Sequence, residues 1–136
     1  MGAFFGRLMS RRAELLAEVA QIEELIRPRV VSLVFAAVTE VSGVSRVELL
    51  GRGRSALVAE ARHVACWLLR HRARMTLEQV GKCMAGRGHD TVIHSCKVVE
   101  RAVAGDRLAD LAARAEVLTA ERLKSANLSQ EGQTHG

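Results

Sequence analysis

Apolar residues recur at helical rather than strand spacing along this chain, and the points where that rhythm stops divide it into elements. Leu8, Leu15, Val19, Ile22 and Ile26 share one side of residues 7–27, with acidic residues at Glu14, Glu18, Glu23 and Glu24, and Pro28 is expected to end this first helix. The four, three, four spacing from Leu15 to Ile26 is a heptad rhythm, but two heptads do not establish a coiled coil. Two readings stay open: a helix lying on or projecting from its own domain, and a self-association seam over residues 8–26. A second helix, about Arg29 to Val41, is apolar through Val30, Val31, Leu33, Val34, Phe35 and Val38 and should floor a domain. Ser45 and Glu48 have capping-box spacing for a short helix ending near Gly51. After the interruption GRGRS, Ser55 or Ala56 opens a helix to about Arg72, with Leu57, Ala61, Val64 and Leu68 inward and Arg62, His63 and Arg70 on a neighbouring polar side. Trp67 is expected to pack a helix rather than stack bases.

Thr76 and Gln79 cap the next segment, Thr76 to Ala85, whose inner face is Leu77, Val80 and Met84. From Thr91 a further helix places Val92, Cys96, Val99 and Val103 inward and Thr91, His94, Ser95 and Val98 outward. Gly105 breaks it, and Asp106 is expected to cap a last helix to about Lys124 with Leu108, Leu111, Ala112, Ala115 and Leu118 inside. With no period-two runs bounded by hairpin turns, the fold class is all-α. The organisation is an N-terminal amphipathic helix (1–28), one domain (29–124) and a polar, frayed tail (125–136).

GRGHDTVIHSC, Gly86 to Cys96, joins the Thr76–Ala85 segment to the helix from Thr91 and includes that helix's first turn. Its glycines permit backbone angles that a side chain forbids, which makes a loop presenting Arg87 and His89 outward. Two short helices joined by such a turn match the helix-turn-helix, in which the second helix leads into the major groove with its N-terminal residues. Charge supports this. Residues 45–101 hold eleven Lys or Arg against five Asp or Glu, whereas the remainder holds nine against ten, so the chain's net +5 arises wholly in the segment with the turn. Clustered positive charge attracts phosphate polyanions and makes affinity fall with salt.

Other chemistry is weaker. Cys66, Cys83 and Cys96 lack CxxC spacing and read as reduced, mostly buried thiols. A zinc set of Cys83, His89, His94 and Cys96 matches no common finger, so no metal and no cofactor is expected. No GxxxxGK[ST] loop occurs, so no nucleotide is expected. The amino terminus lacks a cleavable signal pattern and no run of about twenty apolar residues exists, so the expectation is a cytoplasmic protein without a membrane partner.

The run GRGHDTVIHSC, preceded by TLEQVG and by GRGRS leading into ARHVACWLL, resembles the C-terminal DNA-binding domain of DnaA, the bacterial chromosomal replication initiator, over about Val30 to Leu123. The resemblance implies an all-helical domain of the Trp-repressor-like type that binds double-stranded DNA. It implies a minor-groove arginine at Arg54, major-groove contacts from Arg87, Gly88, His89 and Asp90, and phosphate contacts at Arg62, His63, Arg70 and Thr91. Arg52, His94 and Lys97 are expected to join the phosphate contacts.

This chain departs from the family at two positions, carrying Gly88 where the family has aspartate and Asp90 where it has threonine. Losing an acceptor for the cytosine amino group should weaken preference for the family's box. Asp90 is expected to cap the recognition helix through the amides of Val92 or Ile93, in preference to contacting a base. The function expected is a non-enzymatic regulator of transcription or replication acting by occupancy. The alternative is a helical protein-interaction adaptor that keeps the scaffold without specific DNA reading. His89 beside Asp90 resembles an acid–base pair, but no nucleophile accompanies it.

Overall fold

The computed structural model describes the backbone of residues 2–134 and the side chains of residues 2–126. Six helices follow one another, α1 (Gly2–Ser42), α2 (Arg46–Leu50), α3 (Ala56–His71), α4 (Leu77–Cys83), α5 (His89–Glu100) and α6 (Arg107–Thr134), with no strand among the described residues. The all-α reading holds.

Helix α3 is the hub, touching each of the other five helices. Its Ala61, Val64, Ala65, Leu68 and Leu69 are sealed from solvent, and Val34 and Val38 of α1, Leu49 of α2, Val80 of α4 and Val92 of α5 close on it. The inward stripe is shifted from expectation at its start. Leu57 is 39% exposed, whereas Val58, one position on, is buried, because Ser55 caps the helix by accepting the Val58 amide and fixes the register of the first turn. Trp67 lies half-buried, stacked on His71 with ring centroids 5.3 Å apart, in the packing role expected.

The largest departure is at Pro28. The expected helices 7–27 and 29–41 are one helix, α1, running through the proline. Proline removes the donor that would bond the carbonyl of Glu24, but Pro28 and Glu24 both face solvent, where water can take that carbonyl. Beyond it, burial of Val30, Val34, Phe35, Ala37 and Val38 holds the helix, and the Arg74–Glu23 ion pair at 3.8 Å ties the stretch before it to the body. Val31 and Leu33 are only half-buried.

Helix α6 lies along α1, with Leu111, Ala112 and Ala115 buried and Leu108 and Leu118 half-buried. Thr119, fully buried, donates its hydroxyl to the Ala115 carbonyl at 2.8 Å, so that hydroxyl is not stranded. Arg122 pairs with Glu40, and Arg72 and His71 approach Glu116 at 3.6 and 3.7 Å. Asp106 does not cap α6 with its side chain; the carboxylate accepts the Val103 amide, closing the connecting turn instead. The helix also runs past the expected end near Lys124 to Thr134, while residues 135–136 lie outside the described residues.

Candidate nucleic-acid interface

Two capping boxes fix the scaffold around the turn. Ser45 and Glu48 cap α2 reciprocally, and Thr76 and Gln79 do the same for α4, both as the spacings predict. Helix α4 then ends in a tight reversal. Ala85 and Gly86 adopt left-handed backbone angles, φ 63° and 79°, and the Gly81 carbonyl accepts the amides of Gly86 and Arg87 at 2.9 and 3.0 Å. Gly81 has no room for a side chain, since a Cβ there would lie 2.1 Å from the Arg87 carbonyl oxygen.

Gly88, by contrast, has φ −75° and open space around it, so its backbone demands no glycine. It is the N-cap of α5, whose first bond runs from the Val92 amide to the Gly88 carbonyl at 3.2 Å. This overturns the capping role expected of Asp90. With the helix starting at His89, Asp90 falls at the second helical position and makes no cap bond. It is exposed in the first turn of α5, with its carboxylate uncommitted among the described residues.

His89, Asp90 and Thr91 are all exposed in the first turn of α5, and His94 and Lys97 continue that exposure along the stripe set by Asp90. Ser95 is not on it. It is 3% exposed, because its hydroxyl meets His63 Nδ1 of α3 at 2.9 Å. Val103 is 66% exposed rather than inward, because α5 ends at Glu100 and the chain leaves helical register before reaching it.

The arginines divide by task. Arg54 and Arg52 stand exposed in the loop between α2 and α3, and Arg54 makes no hydrogen bond or ion pair among the described residues. Arg62 reaches from α3 into this loop, donating through Nε to the Leu49 carbonyl at 2.9 Å and through its two other nitrogens to the carbonyls of Glu48, Gly51 and Gly53. One of a guanidinium's five N–H groups is then left for a phosphate. Arg87 is turned inward rather than presented. Its Nη1 donates to the Met84 carbonyl at 2.6 Å and its Nη2 to the Gly51 carbonyl at 2.8 Å, so it clips the turn before α5 to the basic loop. Burial first, and nearby Arg87 second, lower the Arg62 pKa from its usual value; both remain cations, concentrating positive potential where loop and turn meet. Arg70 gives one donor to the Met75 carbonyl at 2.7 Å and leaves the rest exposed.

His63 is half-buried beside His94, ring centroids 5.7 Å apart. Burial and then the neighbouring His94 hold its pKa below the ordinary value, so at neutral pH it is a neutral hydrogen-bonding group rather than a cation. The depressed folded pKa gives stability that is present above the unfolded value of 6.5 and is lost as pH falls from there through the folded pKa. The melting temperature is therefore expected to decline below about pH 6.5, and a His63→Gln variant to decline less; equal slopes in thermal scans across that window would remove His63 as the cause.

The clips formed by Arg62 and Arg87 and the contact at Gly81 were not anticipated from the sequence. A glycine inside the helical pattern TLEQVGKCM is the one local signal for any of them.

An α4–turn–α5 unit with an exposed second-helix N-terminus on a basic surface defines a helix-turn-helix DNA-binding domain. Residues 31–99 match the family model described as the bacterial dnaA protein helix-turn-helix, and the chain belongs to that family. It is 34% identical over 102 residues to the chromosomal replication initiator protein DnaA of Xanthobacter autotrophicus, covering 71% of this chain and 20% of that protein. With the same-named protein of Lachnoclostridium phytofermentans it shares 29% identity over 105 residues, 74% of this chain and 23% of that one. The corresponding figures for that of a Synechococcus strain are 36% over 64 residues, 47% and 14%. The chain thus spans less than a quarter of the length of these relatives. No helix among the described residues is long and apolar enough to cross a membrane.

Proposed function

We propose that this chain is a sequence-preferring double-stranded DNA-binding protein that regulates transcription or replication by occupying its site, without catalysis and without a nucleotide-driven step. The observation that carries this is the Arg87 clip: Nη2 on the Gly51 carbonyl, across 36 positions of sequence, joins the basic loop to the turn that launches α5. Loop and recognition helix are thereby held as one surface. Arg54 enters the minor groove, where a narrow A·T-rich tract concentrates negative potential. His89, Asp90 and Thr91 meet the major groove and its phosphates, and Arg52, His63, Arg70, His94 and Lys97 position the domain on the backbone.

That the relatives are named chromosomal replication initiators supports action at replication control sites. On this reading the protein works on the nucleoid in the cytoplasm. Residues 29–124 form the reading unit, and residues 8–26 offer the protein-contact surface that converts occupancy into an output.

Selection of bound fragments from a random duplex library tests this reading, with an Arg54→Ala, His89→Ala double variant in parallel. A motif enriched by the parent alone supports it; no enrichment by either protein favours the adaptor. Each single variant is expected to weaken binding to the selected site by about 1 to 3 kcal/mol while leaving the fold intact, because both side chains are exposed. Anisotropy titrations in which both variants match the parent would reject these two contacts.

A further inference from the structure

Helix α1 carries a face that nothing in the described structure covers. Phe5, Leu8, Leu15, Val19, Ile22 and Ile26 are each between 45% and 66% exposed. They recur with a heptad's a and d spacing, interrupted at one position by Arg12. A run this long exceeds what isolated soluble domains leave to water.

The charges along the same helix state which occupant fits. Up to Arg12 every charged side chain is positive, Arg7, Arg11 and Arg12; from Glu14 to Glu24 every one is negative, Glu14, Glu18, Glu23 and Glu24. A helix with one positive and one negative half complements itself when reversed. We propose that residues 4–25 pair antiparallel with the same segment of a second copy of this chain, about a two-fold axis between residues 13 and 14. This goes beyond assigning residues 8–26 as a protein-contact surface by naming the partner and its direction.

In that register Phe5 of one copy faces Ile22 of the other, Leu8 faces Val19, and Arg12 faces Leu15, with its stem on the apolar seam and its charge reaching the negative half. Along the flanks Phe4 meets Leu25, Met9 meets Leu16, and Arg11 meets Glu18. Each large apolar side chain left exposed on α1 from Phe4 to Leu25 thereby acquires a partner. The parallel alternative sets Arg12 against Arg12 inside the seam and Glu18 beside Glu23. Arg11 lies 3.2 Å from Glu14 within its own helix, an exposed pair that competes only weakly.

The two-fold axis has a consequence for reading DNA. Helix α1 enters the core at Val30, so at 1.5 Å per residue the entry points lie about 25 Å to either side of the axis and the two readers point outward from it. Such a dimer favours inverted over direct repeats of its site.

Sedimentation equilibrium on the full chain is expected to give a dimer, and Val19→Asp a monomer with unchanged helix content, since Val19 touches no core. Arg11→Glu and Glu18→Arg should each raise the dimer dissociation constant about tenfold, with R11E/E18R returning it close to the parent value. A parent monomer at every concentration, a mass above the dimer, or a tighter assembly in Glu18→Arg, which the parallel arrangement requires, would each overturn the proposal. Binding of Val19→Asp to a single DNA site, measured in the same buffer, is expected to be retained, so loss of the dimer and loss of the reader are told apart.

Discussion

Gly81→Ala is expected to lower the melting temperature and abolish site-preferring DNA binding together. In an open helix the same change would stabilise, because alanine is the better helix former by about 1 kcal/mol. Here the new Cβ would sit 2.1 Å from the Arg87 carbonyl oxygen and 3.3 Å from its carbon. Both atoms are backbone, so no rotamer change relieves the clash; either α4 or the turn must move. The turn is held by the Gly81 carbonyl itself, through the amides of Gly86 and Arg87 at 2.9 and 3.0 Å, and any shift breaks those bonds. Overpacking of this kind costs roughly 1–3 kcal/mol. Functionally, it displaces Arg87, which clips the basic loop, and Gly88, from which α5 starts. Gly88→Asp is the control: with φ −75° and nothing near its Cβ, it should fold as the parent does and regain an acceptor for the family's box. Thermal scans and anisotropy titrations decide both, and a Gly81→Ala variant more stable than the parent would show that the close approach is relaxed in solution.

What the sequence disclosed and what it withheld follow one physical division. Caps are local: Ser45 with Glu48 and Thr76 with Gln79 bond within three residues of one another, so spacing suffices to find them. The core stripes of α3, α4 and α6 were legible for a similar reason, since burial is periodic. Pro28 was misleading because a helix tolerates a proline whose missing bond faces water, and which side faces water is decided by tertiary docking of Val30, Val34 and Val38. Ser95 was placed outward because a hydroxyl on a helix is polar by default; only His63, 32 positions away, makes it a buried partner. The same distance in sequence hid the arginine clips. Arg62 read as a cation awaiting phosphate and Arg87 as one awaiting a major-groove contact, and their carbonyl partners, lying up to 36 positions off, leave no trace in composition or period. Asp90 was misassigned because α5 begins at His89, two residues before the expected start at Thr91. The resemblance to the initiator family named the helix-turn-helix that the family model matches over residues 31–99, but it says nothing of how that unit is braced.

Arg62→Ala separates bracing from reading. The side chain binds four carbonyls, those of Glu48, Leu49, Gly51 and Gly53, and so draws the end of α2 and the loop that carries Arg54 onto α3. Hydrogen bonds from a charged donor contribute about 1.5–3 kcal/mol each at most, and carbonyls at this partly open site recover part of that from water, so an overall loss of about 2–3 kcal/mol in stability is expected. DNA affinity should fall as well, because the loop loses the shape that aims Arg54. Arg54→Ala, by comparison, should weaken DNA binding with the melting temperature unchanged. The deciding variant is Arg62→Lys, which keeps the charge but replaces a planar fork by a single ammonium with three donors. If bracing is the task of Arg62, lysine cannot span four carbonyls, and both stability and affinity should follow the alanine variant. If its principal task is a phosphate contact, lysine should restore affinity and alanine alone should reduce the slope of affinity against salt by about one counterion. The geometry favours the first outcome, and a fully active, fully stable Arg62→Lys would show that the four carbonyl bonds do not set the loop.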